Sequence, residues 1–73
     1  MMVKCFVETT AEVDEVRGAI ESHGCEIGDW DAVAGTDGKQ KLITVHVYDP
    51  SGDVEDAVTN YLDPAGIEAF VYT

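Results

Sequence analysis

Two cysteines, two histidines and fifteen acidic residues are what this chain has for holding a metal, moving a proton or attacking a bond. His23 and Cys25 stand two apart, a spacing that suits half of a metal site. Structural zinc needs four ligands, and no second pair stands at ligand spacing, so no metal is expected. No serine, cysteine or histidine falls in a nucleophile motif. Asp29 and Asp31 would share one side of a strand, and Asp49, Asp53, Glu55 and Asp56 crowd the start of a helix. The helix dipole favours acids there, and the alternating acids closed by a glutamate that make a calcium loop are missing. These side chains point to no catalytic residue and no cofactor. An enzymatic role would need a site completed across an interface with another subunit.

The charge is more informative. Fifteen acids face four bases, a net of −11, and Arg17 is the one arginine. Such a surface repels itself at low ionic strength. Salt shortens the screening length to about 3 Å at 1 M. Acids spread along the whole chain fit a halophilic, salt-rich cytoplasm better than a nucleic-acid mimic, whose charge would gather on one face. A phosphate backbone is a poor partner, because binding it takes Lys and Arg. The apolar runs are too short to span a bilayer. Met1 to Glu8 lacks the apolar core and cleavage site of a signal peptide. The expected location is therefore cytoplasmic, with no membrane partner.

The elements that must position any site follow from periodicity. Seventy-three residues make a single domain, 1–73, with a thin stability margin. Val3 to Val7 alternates as a half-buried strand, with Val3, Cys5 and Val7 on one side. Thr9-Thr10-Ala11-Glu12 reads as a capping box. Val13, Val16, Ala19 and Ile20 then keep helical spacing, and Gly24 stops the helix beyond His23. A less regular strand is expected from Cys25 to Ala34, with Gly28 marking a bulge and Gly35-Thr36-Asp37-Gly38 as the turn after it. Lys41 to Asp49 alternates clearly. Pro50-Ser51-Gly52-Asp53 opens a second helix with a stripe of Val54, Ala57, Val58, Tyr61 and Leu62. Asp63-Pro64-Ala65-Gly66 ends it, and Ile67 to Thr73 is the last strand. The order is βαββαβ. Two such strand-helix-strand units give an α+β, ferredoxin-like split βαβ fold, a four-stranded antiparallel sheet of order 4-1-3-2 with both helices on one face. Cys5 and Cys25 would then be about 9 to 10 Å apart, beyond disulfide reach, and are read as small buried apolar residues.

With two helices on one face, the other face should be open to water. Its expected side chains are Phe6, Leu42, His46, Tyr48, Phe70 and Tyr72, joined by Trp30 if the bulge sets that register. A contiguous aromatic patch on a small protein marks an interaction surface. A symmetric homodimer is the commonest way to cover one, and a protein partner is the alternative. RNA-binding domains of this topology stack bases on aromatics of their first and third strands. Here the basic surround is missing.

These features resemble the ACT and Lrp/AsnC-type effector-binding domains. Gly24-Cys25-Glu26-Ile27 is similar to the ACT pattern Gly-x-Asn-Ile, with Glu26 in place of the asparagine. Val33-Ala34-Gly35 resembles the effector-domain turn, and Gly66-Ile67 resembles that family's Gly-Val. The Asp-Arg-Pro-Gly entry to the ACT ligand loop is replaced by Glu8-Thr9-Thr10-Ala11. The resemblance implies a non-enzymatic regulatory domain that self-associates through its sheet. It would bind a small molecule near Thr9, Thr10, Ala11 and Glu12. The alternatives are a protein-interaction module using the aromatic face and an enzyme subunit with an interface site.

The thermal midpoint should climb steeply with KCl between 0.1 and 2 M as screening removes self-repulsion; a flat midpoint would refute a salt-adapted surface.

Overall fold

The computed structural model describes residues 1–32 and 40–73. The expected turn Gly35–Gly38 and the Val33-Ala34-Gly35 segment lie outside them. The elements are β1 (Met2–Thr9), α1 (Val13–Ile20), β2 (Cys25–Ala32), β3 (Lys41–Tyr48), α2 (Val54–Leu62) and β4 (Ala69–Tyr72). Short 3-10 turns, Glu21–His23 and Asp63–Ala65, close the two helices.

The strands form one antiparallel sheet in the order β2-β3-β1-β4, which counted from the β4 edge is 4-1-3-2. β1 and β3 pair along their whole length, from Met2 opposite Tyr48 to Thr9 opposite Lys41. That long register carries β1 past the Val3–Val7 core of its alternation. On the odd-numbered side Cys5, Val7, Ile43, Val45 and Val47 are shut away from water. They join Val13, Val16 and Ile20 of α1 and Val54, Val58 and Leu62 of α2 in one apolar core. Opposite residues of an antiparallel pair share a face, so both helices pack on this side.

Three local expectations change. The first concerns the start of α1. Glu12, not Thr9, is the N-cap, and no side chain caps the helix. The Glu12 carbonyl accepts from the amides of Glu15 and Val16, at 3.0 and 3.2 Å. Thr9 stays in the strand because its hydroxyl has other partners: it accepts from Ala11 N–H at 3.1 Å and donates to the Glu68 carbonyl at 2.7 Å.

The second is the length of β4. Ile67 donates to the Leu62 carbonyl at 3.2 Å as part of the helix ending at Gly66, and Glu68 gives its carbonyl to Thr9. Pairing with β1 therefore begins at Ala69, although Ile67 itself is buried.

The third is the register of β2. The pairing with β3 slips between Ile27 and Asp29, so Gly28 is a bulge. Before it Glu26 faces His46; after it Trp30 faces Ile43. The extra residue moves Trp30 to the helix-facing side.

Gly24 follows the first 3-10 turn at φ 79°, a left-handed conformation in which it ends the helix. Asp49 leaves β3 at φ 50° and pairs with the amino terminus.

Strand parity sets a test. Ile43→Ala, on the sealed face, should cost about 2–5 kcal/mol, and Thr44→Ala, on the open face, no more than about 1 kcal/mol. Urea denaturation measures both, and equal costs would refute the assignment of faces.

Candidate functional site

The open face is built from the even-numbered residues of β1, β3 and β4 together with Glu26, Asp29 and Asp31 of β2. Cross-strand register fixes its rows. Tyr72, Phe6, Thr44 and Asp29 lie in one row, and Phe70, Glu8, Leu42 and Asp31 in the next. On the other side of the first row Lys4, His46 and Glu26 are aligned.

This layout divides the expected patch. Phe6, Phe70 and Tyr72 form a true cluster over β1 and β4. The Phe6 and Tyr72 ring centroids are 5.8 Å apart and those of Phe70 and Tyr72 5.6 Å, both tilted. Tilted pairs at such separations attract beyond simple area burial. The Lys4 ammonium lies 5.8 Å from the Phe6 centroid, within cation–π range. Phe70 is 66 % exposed, so the cluster has an outer side that none of the described residues covers.

The other residues of the expected patch lie apart from it. Leu42 is half-buried between Glu8 and Asp31. Tyr48 is at the far end of β3. Its phenol is bonded to the Glu26 carboxylate, which raises its pKa above the usual value, with desolvation adding to the effect. Trp30 does not share the open face, for the reason given by the bulge. It is 46 % exposed at the sheet edge on the helix side. Parity alone would have put Trp30 beside Glu26, and one inserted residue reverses that.

His46 lies on the open face, opposite Lys4 and Glu26, and makes two contacts the sequence did not suggest. A Cβ built on Gly28 would stand 2.5 Å from His46 Nε2, so the bulge glycine leaves the space in which the imidazole lies. On the ring's other side Nδ1 is 3.3 Å from Met2 Sδ. Met2 carried no signal of its own at a strand end. A sequence signal for the imidazole contact did exist in Gly28, read only as a bulge.

The segment expected to hold a ligand, Thr9 to Glu12, sits between β1 and α1. Thr9 is 3 % exposed with its hydroxyl bonded on both sides, while Thr10 and Glu12 are exposed and Ala11 is half-buried against the core. No pocket is found among the described residues. Nor do those residues contain a group of three or more His, Cys, Asp or Glu placed to hold a metal ion. Asp29 and Asp31 share the open face as their spacing implied, and Asp29 accepts from Trp30 N–H at 2.8 Å. His23 stacks on Tyr61 of α2, with centroids 4.1 Å apart and planes 5° from parallel. Cys5 and Cys25 are free and buried. Burial, then the neighbouring Cys25 and Glu55, push the Cys5 thiol up to about 11; burial also raises Cys25. No described helix is long and apolar enough to cross a membrane.

No family model matches the sequence, and no curated protein matches it. Among solved structures, the chain is similar to a formyltetrahydrofolate deformylase from Pseudomonas putida, with a TM-score of 0.51 at 10 % identity. The match covers 100 % of this chain and 29 % of that one. At this identity the likeness is one of fold, and the chain spans less than a third of that protein's length.

The Cys5 thiol sets a pH test. Its folded pKa is raised from 9.0 to about 11, so the protonated thiol contributes stability that is fully present below pH 9 and is lost as pH rises through about 11. Urea midpoints should fall across that window, with a Cys5 share on the order of 2 kcal/mol. Cys5→Ala should lower stability at neutral pH and flatten the alkaline decline. An equally steep decline in the variant would sink the assignment.

Proposed function

We propose that this chain is a non-enzymatic regulatory domain of the ferredoxin-like, ACT-like kind. In this reading it self-associates through the β1–β4 half of its open sheet face and takes a small molecule beside the new interface, in a salt-rich cytoplasm. The observation that carries the reading is the Phe6–Tyr72–Phe70 cluster, with Phe70 66 % exposed. Covering those rings with a second copy removes apolar surface from water, and a two-fold axis lets the same patch serve both partners. The likeness to part of a larger enzyme supports a module that works beside other domains. A ligand at the β1–α1 segment would meet Thr10, Ala11 and Glu12, since the Thr9 hydroxyl is already occupied.

The second reading, a module that recruits a different protein, is favoured by the acids Glu26, Asp29 and Asp31 beside the aromatic half. They suit a basic partner and would repel a second copy laid over them at low salt.

Light scattering in molar KCl should give the mass of a dimer. Phe70→Asp should give a monomer with the same far-UV circular dichroism. A monomeric wild type would sink the self-association reading and leave the heterologous partner. For the ligand, amide NMR shifts near residues 8–12 on adding free amino acids are expected; indifference to the whole panel would remove the sensor role.

A further inference from the structure

We propose that the outer edge of β2 takes up an extended segment of another protein, rich in lysine or arginine, as an added strand. This narrows the second reading above, a different protein as partner, and is independent of self-association. β2 stands at the end of the sheet, with β3 on one side and no described strand on the other. The Tyr48 amide donates to the Gly24 carbonyl at 2.9 Å, on the β2 side, and the next amide, Asp49, donates to Met1 at 2.7 Å, on the β1 side. Alternate residues of an antiparallel strand bond to opposite neighbours in this way, so Val47, Val45 and Ile43 turn their backbone groups away from β2. Cys25, Ile27 and Trp30 stand opposite them and therefore direct theirs outward. A row of outward donors and acceptors is the template on which an extended peptide adds to a sheet.

The side chains of the same strand set the partner's chemistry. Asp29 and Asp31 are exposed on the open face, and Trp30, 46 % exposed, lies between them on the helix side. Opposite charges stabilise a cross-strand pair and like charges destabilise it. A second copy of β2 would set acids against acids, so the edge rejects its own kind. A segment whose basic residues alternate with apolar ones meets Asp29 and Asp31 with cations and lays an apolar side chain beside Trp30. Asp29 also guards the edge. Its carboxylate accepts from Trp30 N–H at 2.8 Å, which keeps that donor from an arbitrary strand. A cation on the incoming segment draws the carboxylate off, and Trp30 N–H then donates to a carbonyl of the partner. The bulge at Gly28 breaks the register of β2, so the ladder is aligned on the Asp29 side, with Glu26 left bonded to Tyr48. At the opposite edge β4, Ala69–Tyr72, bears no charge, so nothing there selects a basic strand.

The test uses the full chain and a short capped peptide of alternating lysine and valine, followed by amide NMR. The Cys25, Ile27 and Trp30 amides should shift, saturate and exchange more slowly with solvent; unmoved β2 amides would overturn the proposal. Asp29→Asn combined with Asp31→Asn, isosteric changes at exposed positions, should weaken binding at least about tenfold; unchanged affinity would remove the charge recognition. N-methylation at the peptide's valines, which face Trp30 in this register, deletes the ladder and keeps every charge. If the methylated peptide bound equally well, attraction to a chain of net −11 would suffice and no strand would have been added. Phe70→Asp, which removes the proposed dimer contact, should keep the full response. Shifts confined to Phe6, Phe70 and Tyr72 would overturn the edge while sparing a heterologous partner on the open face.

Discussion

The full-length pairing of β1 with β3 is the interaction on which the rest depends. It aligns Cys5 and Val7 with Val45 and Ile43 on one side of the sheet and gives both helices a common apolar floor. Once those residues face inward, the pleat leaves no choice about the others. Phe6, Thr44 and His46 must face the opposite way. The candidate surface is thus a by-product of how the core is sealed, and its composition is decided at positions the core does not constrain.

That logic explains why so much could be read from the residues. The inward rows of β1 and β3, the apolar stripes of α1 and α2 and the two glycine-ended helices follow from strict periods of 2 and 3.6 residues, and the structure keeps all of them. The aromatic cluster of Phe6, Phe70 and Tyr72 follows from the same parity. What escaped was set by single residues. Trp30 depends on whether Gly28 counts in the register, and a bulge reverses every side chain beyond it. Thr9 fits a capping box locally, yet its hydroxyl is claimed by Glu68, a residue 59 positions away. The Met2–His46 contact joins two strand positions 44 apart, and no local pattern encodes such a pair.

The open face is not uniform. Apolar rings gather toward β4 and carboxylates toward β2, with His46 and Lys4 between. For the partner proposed above, the face would offer a greasy side and an acidic side, so charge would set orientation even where the rings supplied affinity. On a surface otherwise coated with like charge, such a gradient distinguishes one docking pose from its reverse. Ion pairs add little to this. Arg17 bridges Asp14 and Glu21 at 3.0 and 3.5 Å on the exposed side of α1, where such pairs contribute little to stability.

The order of the strands also bears on how the chain folds. β1 is first in sequence and central in the sheet, and its two neighbours, β3 and β4, come from far downstream. Its apolar row cannot be covered by anything adjacent to it in the chain except α1. The Thr9–Glu68 bond closes a loop of almost the whole molecule. Contacts of such long sequence range slow a small domain's folding, because the loop entropy is lost before the pairing is gained. The last short strand, four residues ending at Tyr72, covers the outer edge of β1, which without it would be a bare strand on which another chain could pair.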